Sequence, residues 1–590
     1  MKLPLLVLLV SLLVHMSTAE VRDNKPTPEA KKASDPKAAA PSTKANQGVN
    51  VPKAAATSTK ASQGVNVPKA AASSTKASQG TNVPKTAALK SAKKAKILFV
   101  APFGSKSHKI FYDGVVEAIA DDGHQVTMLT PFERKKVHKN IKDVVFEGND
   151  IGPILPNTFE EGMMSATMTA IEKGPSFCFG ALTSQETKSV LLEKYDLVFV
   201  SIFFNECFLG VVHAMKVPFV FINPAEMFGP FNARLMGNPT FPSFNYNPML
   251  NFETPLSLYQ RTLSAISEVV IDWLLRTNFN RIDVTGQSLG LFGVDTPSTA
   301  DISTNASLMI VNSVRLAEHP RPYMPNILLT GCIHCRDPQP LPKELEAWVA
   351  SAGEAGIIFF SLGSAIRSSL LPKEKVEAMV SVFGSLPQKV LWKHDLTKLE
   401  QTLPSNVRLT KWASQQDLLG HPRMRLFITH GGLLSTQEAT YHGVPILGIP
   451  VFGDQEGNMA GAEAQGWGIK LSWDELTQQS LAAAIEHLIN NPEKQRNVAR
   501  IRELMKDAPL TPQQEVVWWT NYLLRTGGAP HLRSGAAGLP WYQLYNTDVW
   551  VLLTSGVLLL LWVQYWILRT ICRTCYAYTR QKSDDKKKKQ

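Results

Sequence analysis

From Trp412 to Asn458 the chain gathers glycines, a histidine, hydroxyls, amides and carboxylates around one strand-to-helix turn. An apolar run, Leu426-Phe427-Ile428, leads into Thr429-His430-Gly431-Gly432. A helix-like segment with Ser435, Thr436 and Glu438 follows, then Gly443-Val444-Pro445, a second apolar run, and Asp454-Gln455. Strand, glycine turn, helix and strand make the unit that sets a helix N-terminus and free backbone N–H groups against a phosphate. The polar residues are of the types that hold a nucleotide sugar. Two of them have a purely local alternative: Ser435-x-x-Glu438 fits a capping box, which would occupy both side chains without a ligand.

A second set of reactive types lies far earlier. Gly104-Ser105-Lys106-Ser107-His108 directly follows the first apolar run, at the end of a strand, where α/β sheets place their sites. A neutral imidazole there can accept a proton near neutral pH. A solvated loop histidine is the plainer alternative. Ser361-Leu362-Gly363-Ser364 follows another apolar run in the same way. No Asp-x-Asp of the kind that would carry magnesium stands in either region.

The elements that must position these residues are legible as alternating runs. Ile97–Ala101 reads as a buried strand, Ile110–Ala120 as a helix and Val126–Thr130 as a strand. Leu197–Val200, a helix-like Cys207–Met215 and Phe219–Ile222 repeat the pattern. A second series runs through Ile357–Phe360, Val390–Trp392, Leu426–Thr429 and Ile446–Ile449. Alternation of this kind predicts an α/β protein with parallel sheets and helices on both faces. Two doubly wound, Rossmann-like domains facing across a cleft is the natural architecture, with a boundary in the Pro-rich stretch Cys332–Lys343.

The Trp412–Asn458 stretch resembles the signature of the UDP-glycosyltransferases, a membrane-bound family that attaches sugars to small lipophilic molecules. The resemblance runs from about Ile97 to the C-terminus, and the His-Gly-Gly-Leu-Leu-Ser-Thr form is most similar to arthropod members. It implies the GT-B fold, with an acceptor-binding domain at 96–335 and a UDP-sugar-binding domain at 336–530. A final helix near Val516–Thr526 would cross back onto the first domain. The implied activity is metal-independent, inverting transfer of a hexose, glucose by the arthropod likeness, from a UDP-sugar to a hydroxyl of a lipophilic acceptor. The UDP-sugar is a co-substrate and no cofactor is implied.

The resemblance also assigns residues. His108 takes the place of the general base. The acid that would orient it closes the strand at Leu197–Val200 in the family, and that slot holds Ser201 here. A serine can hydrogen-bond an imidazole but cannot offset the charge of an imidazolium. Glu206 is the nearest substitute, although a surface or helix-terminal carboxylate is its plainer reading. On the donor side, Trp412 would stack on uracil, Gln415 meet the ribose or the base, Glu438 hold the ribose diol, and His430 and Gly432 approach the α-phosphate. Ser435, Thr436 and Ser364 would donate to the diphosphate, and Asp454 and Gln455 would hold sugar hydroxyls. Ser414 and Leu434 stand where the family usually has Pro and Asn. Phe203, Phe204, Met227, Phe228 and Phe241 are candidates to line the acceptor cleft. The departure at Ser201 supports a second reading, a catalytically weak member that binds lipophiles as a partner subunit.

Composition fits these assignments. The 590 residues carry a formal charge of +11, which alone would suggest nucleic acid. However, residues 21–96 hold 15 Lys/Arg against 3 Asp/Glu, residues 569–590 hold 8 against 2, and the stretch between them carries a net −7. Basic flanks around a mildly acidic body argue against a nucleic-acid partner. Residues 1–19 read as a signal peptide. Residues 20–95 read as a disordered linker, with three copies of a 16-residue repeat at 42–89, because such a composition buries too little apolar surface to offset chain entropy. A juxtamembrane segment (531–548) precedes Val549–Leu568, 20 residues without a charge. That length crosses the roughly 30 Å of a bilayer core. The tail at 569–590 is basic, so the positive-inside rule places it in the cytosol and the fold in the lumen. Lys587-Lys588-Lys589-Gln590 resembles an endoplasmic-reticulum retrieval signal. Asn305-Ala306-Ser307 is a glycosylation sequon. Cys332-x-x-Cys335 fits a disulfide or two free thiols better than a metal site; partners for Cys178 and Cys207 are left open, as is homo-oligomerisation.

Overall fold

The computed structural model describes residues 94–588, apart from 135, 155–156, 227–231, 234, 245–249, 251, 253–254, 315–320, 365, 397–398, 400–401 and 452. The signal peptide, the repeats, all of the linker but its last two residues, Met227, Phe228, Lys589 and Gln590 lie outside the described residues.

Parallel strands buried on both faces need near-continuous apolar sequence. The chain supplies it in β1 (Lys96–Val100), β4 (Leu197–Ser201), β5 (Phe219–Asn223) and β8 (Ile357–Ser361), of which only Lys96 is not fully buried. The other strands of the first sheet are β2 (Gln125–Thr130), β3 (Ile141–Val145), β6 (Leu308–Val311) and β7 (Ile327–Leu329). The second sheet adds β9 (Lys389–Lys393), β10 (Val407–Thr410), β11 (Met424–Thr429), β12 (Ile446–Gly448) and β13 (Gly468–Lys470). Among the described residues the orders are β3-β2-β1-β4-β5-β6-β7 and β10-β9-β8-β11-β12-β13, with every pairing parallel. The expected doubly wound architecture is therefore present twice.

Strand order places the site. In the first sheet the chain winds outward from β1 through β2 and β3, then restarts at β4 on the other side of β1. In the second it winds from β8 through β9 and β10 and restarts at β11. A crevice opens where the order reverses, outside the carboxyl ends of the two central strands. Val100 of β1 lies beside Val200 of β4, and Ser361 of β8 beside Thr429 of β11. Ser201 at the end of β4, and the turns that lead to His108, Ser364 and His430, therefore lie at the two reversal points.

Four helices carry or adjoin the site residues, α1 (Lys106–Asp121), α2 (Gln415–Leu419), α3 (Leu433–His442) and α4 (Gln455–Ala464), and two lie further along the chain, α5 (Pro512–Thr526) and α6 (Thr547–Lys587). The helix expected over Cys207–Met215 divides into a 3-10 turn, Glu206–Phe208, and a short helix, Leu209–Met215. A disulfide joins Cys207 of that turn to Cys178 of the long helix Thr158–Thr183. Helix α5 starts with Pro512 at its first position and a Thr511–Gln514 capping box. Its Val516 and Leu523 are buried in one core with Phe111, Val115 and Ile119 of α1. Asn521 Nδ2 donates to Asp122 Oδ2 at 2.9 Å, so the return onto the first sheet is built from both apolar and polar contacts. Helix α6 is long and apolar enough to cross a membrane, and none of its described residues is buried.

One buried amide ties the two central loops of the first sheet together. Asn205, fully buried after β4, accepts from Phe103 N and donates to Phe103 O, both at 3.3 Å, and also donates to Phe203 O at 2.7 Å. Replacing it removes partners from enclosed backbone groups. Asn205→Ala should lower unfolding stability by about 2 kcal/mol. Urea denaturation reads this directly, and an unchanged midpoint would show that the bridge does not hold the loops.

Candidate active site

His108 enters α1 at its third position, where its backbone N–H donates 3.2 Å to the N-cap hydroxyl of Ser105. The half-buried ring meets Phe203 edge-on, with centroids 4.4 Å apart. Its Nδ1 is enclosed without a hydrogen-bond partner. Burial alone pushes the imidazole down to about 4, so it is neutral at physiological pH. Phe203 continues into an aromatic cluster: Phe103 stacks on Phe177 at 5.2 Å and on Phe203 at 6.1 Å, and Phe204 packs against both Phe103 and Phe203. Phe241 lies elsewhere, exposed and stacked on Phe244, next to Thr240, whose hydroxyl contacts Tyr545 before the membrane helix.

Neither acid candidate touches the histidine. Ser201 is buried, and its hydroxyl pairs with Tyr112 Oη at 2.7 Å and accepts from Phe203 N at 3.2 Å. It braces the wall beside His108 without bonding to it. Glu206 is not the surface carboxylate of its plainer reading. It is buried at the head of the 3-10 turn, and burial pushes its carboxyl up to about 8 despite backbone N–H donors from Phe204 and Glu206 itself. At pH 7 it is a neutral acid, which cannot balance an imidazolium by charge.

The donor-side residues converge at the second reversal point. Gly432 is the N-cap of α3 and, lacking a side chain, makes no side-chain cap at the helix N-terminus. The His430 ring lies between two glycines: a Cβ on Gly363 would come within 2.6 Å of the ring, and one on Gly432 within 2.5 Å. Burial first, then the charge of Lys393, pushes His430 down to about 3, so it acts as a neutral hydrogen-bonding group. Gln415, the first residue of α2, donates from Nε2 to Ser435 Oγ at 3.1 Å and to Glu438 Oε2 at 2.7 Å. Glu438 is buried and also receives Gln416 Nε2 at 3.3 Å. The capping box is not formed, because Gly432 rather than Ser435 is the N-cap. Trp412 is 55% exposed. Ser364 is exposed in the loop after β8.

Three expected ligand contacts are engaged internally. Thr436 donates its hydroxyl proton to Leu433 O at 2.8 Å, so it cannot also donate to a phosphate in this arrangement. Gln455 is buried, and its Oε1 accepts from Val451 N at 2.8 Å, closing the loop before α4. Asp454 accepts from Asn458 Nδ2 at 2.9 Å and from the backbone N–H of Leu433, at the mouth of α3. Burial raises its carboxyl above the usual range.

Lys393 went unrecognised because the apolar strand was read only to Trp392. It ends β9, again at the carboxyl edge of a parallel strand, which is the signal that could have found it. Its Nζ donates 2.6 Å to Gly363 O and lies 5.5 Å over the Trp412 ring. Burial and then, against Asp395, the positive charge of Lys106 lower its ammonium. The effect of Lys106 on Lys393 puts the start of α1 near the end of β9. Glu226, after β5, is likewise near enough for Asp454 to raise it, on top of burial and against Arg321.

Because Gly432 has an ordinary φ of −62°, alanine there strains no backbone and only strikes His430. Gly432→Ala should weaken UDP binding at least about tenfold, the loss of one hydrogen bond to a charged group, with a melting temperature near that of the parent. Calorimetric titration with UDP checks this; unchanged affinity would remove His430 from the phosphate site.

Similarity to known proteins agrees with this geometry. Residues 95–584 match the family model described as UDP-glucoronosyl and UDP-glucosyl transferase. UDP-glucosyltransferase 2 of Dactylopius coccus is 30% identical over 469 residues, 78% of this chain and 90% of that protein. UDP-glucuronosyltransferase 2A3 of Mus musculus is 34% identical over 420 residues, 70% of this chain and 77% of that protein. The solved glycotransferase of kitacinnamycin, at 15% identity and a TM-score of 0.50, covers 74% of this chain and 99% of its own, and shares the GT-B fold. The chain therefore belongs to the UDP-glucoronosyl and UDP-glucosyl transferase family and is a UDP-glycosyltransferase, transferring sugar from a UDP-sugar to an acceptor.

Proposed function

We propose that this enzyme moves a neutral hexose, glucose by its likeness to the Dactylopius coccus glucosyltransferase, onto a hydroxyl of a small lipophilic acceptor, with inversion and with His108 as general base. The observation that carries the reading is a neutral imidazole in direct contact with an aromatic cluster, at one reversal point, opposite the donor-binding types at the other. The aromatic rings would hold the apolar body of the acceptor with its hydroxyl against His108. That oxygen forms a bond to the anomeric carbon as the bond from that carbon to the diphosphate breaks. Its proton passes to the imidazole, and the electron pair of the breaking bond leaves with UDP. Base and leaving group lie on opposite sides of the sugar, which is the geometry of inversion.

Leaving-group charge would be met by Lys393, the N-terminus of α3 and neutral His430, all in low-dielectric surroundings where such donors count most. This donor set supports transfer without a metal. Trp412 would stack on the uracil, Gln415 and Glu438 hold the ribose, and Asp454 meet the sugar hydroxyls, with Ser364 and Ser435 donating to the diphosphate. Acceptor binding is assigned to 96–335 and donor binding to 336–530. Our reading includes an endoplasmic-reticulum membrane location, with the catalytic domains lumenal and the basic tail cytosolic; α6 and the arginines and lysines after it support it. The enclosed, unpartnered Nδ1 of His108 favours one other reading, a weak catalyst that binds lipophiles for a partner; turnover decides between them.

His108→Ala should lower turnover of UDP-glucose with a phenol by about 10²- to 10⁴-fold, the usual worth of a general base, while UDP affinity stays unchanged. Undiminished transfer would sink the mechanism. The pH dependence follows from the lowered imidazole: the base is active when neutral, and it is neutral above about 4. The quantity kcat/KM should therefore stay level on acidification from pH 7 to about 5 and fall only toward 4. A descent centred on 6.5, the ordinary histidine value, would contradict the buried, neutral base.

A further inference from the structure

We propose that His334 is a positioning residue for the donor site: held in the Cys332–Cys335 loop, it fixes the Glu438 carboxylate that reads the ribose hydroxyls. The inference rests on the ribose role proposed above for Glu438. His334 is enclosed, and its Nε2 lies 3.3 Å from Glu438 Oε1. Its other ring nitrogen, Nδ1, is buried without a partner. The ring therefore faces the carboxylate through Nε2 at ion-pair distance, with Cys335 Sγ 4.0 Å from the same nitrogen. Glu438 accepts from Gln415 on one oxygen and from Gln416 on the other, and the His334 ring abuts the second oxygen.

The loop that carries His334 is stapled to the same two helices. A disulfide closes Cys332 to Cys335 across the histidine. Cys332 N donates to Gln437 Oε1 at 3.0 Å, Arg336 N to Gln416 Oε1 at 2.8 Å, and Gln416 Nε2 to His334 O at 3.1 Å. Arg336 adds an ion pair of 2.6 Å to Asp417. These bonds fix where the His334 ring sits, and the ring fixes the carboxylate. A carboxylate aimed in advance binds a diol without first losing its own freedom.

Steady-state kinetics on the full-length enzyme tests this. His334→Leu should raise the KM for UDP-glucose about tenfold, the worth of one hydrogen bond to a carboxylate, with kcat and acceptor KM within about twofold of the parent. His334→Gln, which can still donate to Glu438, should recover most of the loss. His334→Asn, too short to reach, should behave like the leucine variant and serves if that one does not accumulate. An unchanged donor KM in the leucine or asparagine variant overturns the proposal. So does an equal loss in kcat and acceptor KM that glutamine does not rescue, which would mark a merely structural role. Glu438→Gln separates the two levels. If it raises donor KM while His334→Leu does not, the positioning role alone fails. If it leaves donor KM unchanged, and UDP and 2′-deoxy-UDP bind it and the parent alike, the ribose role itself fails and this inference falls with it.

Discussion

A parallel strand packed on both faces can present polar chemistry only at its ends. Everything in this molecule follows from that constraint. Both sheets are walled by helices, their central strands are mostly apolar and buried, and each reverses strand order once near its centre. The reversal points are therefore where loops can open without exposing the core, and His108 and His430 each leave from one of them. The long return of α5 onto α1 joins the second half of the fold to the first, so the crevice edges are held by packing as well as by the chain between them.

Burial at these openings sets the electrostatics. Both histidines are held neutral, while the carboxyls of Glu206, Glu226 and Asp454 are raised. A neutral histidine suits each of the two tasks, proton acceptance on one side and uncharged donation to a phosphate on the other. Charge is concentrated instead in Lys393, which borrows the Gly363 carbonyl and the Trp412 ring to remain an ammonium in a poorly hydrated place. The missing acid beside His108 is the conspicuous departure. Ser201 is committed to Tyr112 and burial pushes the Glu206 carboxyl up to about 8, so neither is a charge partner for the imidazolium of the proposed mechanism, and Nδ1 stands enclosed without a hydrogen-bond partner.

Sequence carried the central strands and the donor turn well, because both rest on local signals: unbroken apolar runs, and glycines beside a histidine. The edge strands β3, with alternating Ile141-Lys142-Asp143-Val144-Val145, and β10, with Val407-Arg408-Leu409-Thr410, were not legible, since one solvated face breaks the apolar run. Side-chain partners were the least accessible. Ser435 followed by Glu438 reads as a capping box until Gly432 proves to be the cap, and Thr436 reads as a phosphate donor until its hydroxyl turns back onto Leu433. Lys393 and His334 escaped because their importance comes from what lies across space, an aromatic ring and a carboxylate on other elements.

If acceptor and base come from the first reversal point and the diphosphate is held by the second, the nucleophile must attack the sugar from the side opposite UDP. The configuration of the product reports this more directly than any rate. With UDP-glucose, whose anomeric centre is α, and a simple phenol, the first-formed product observed by proton NMR should be the β-glucoside. An α-glucoside would contradict the arrangement at its root.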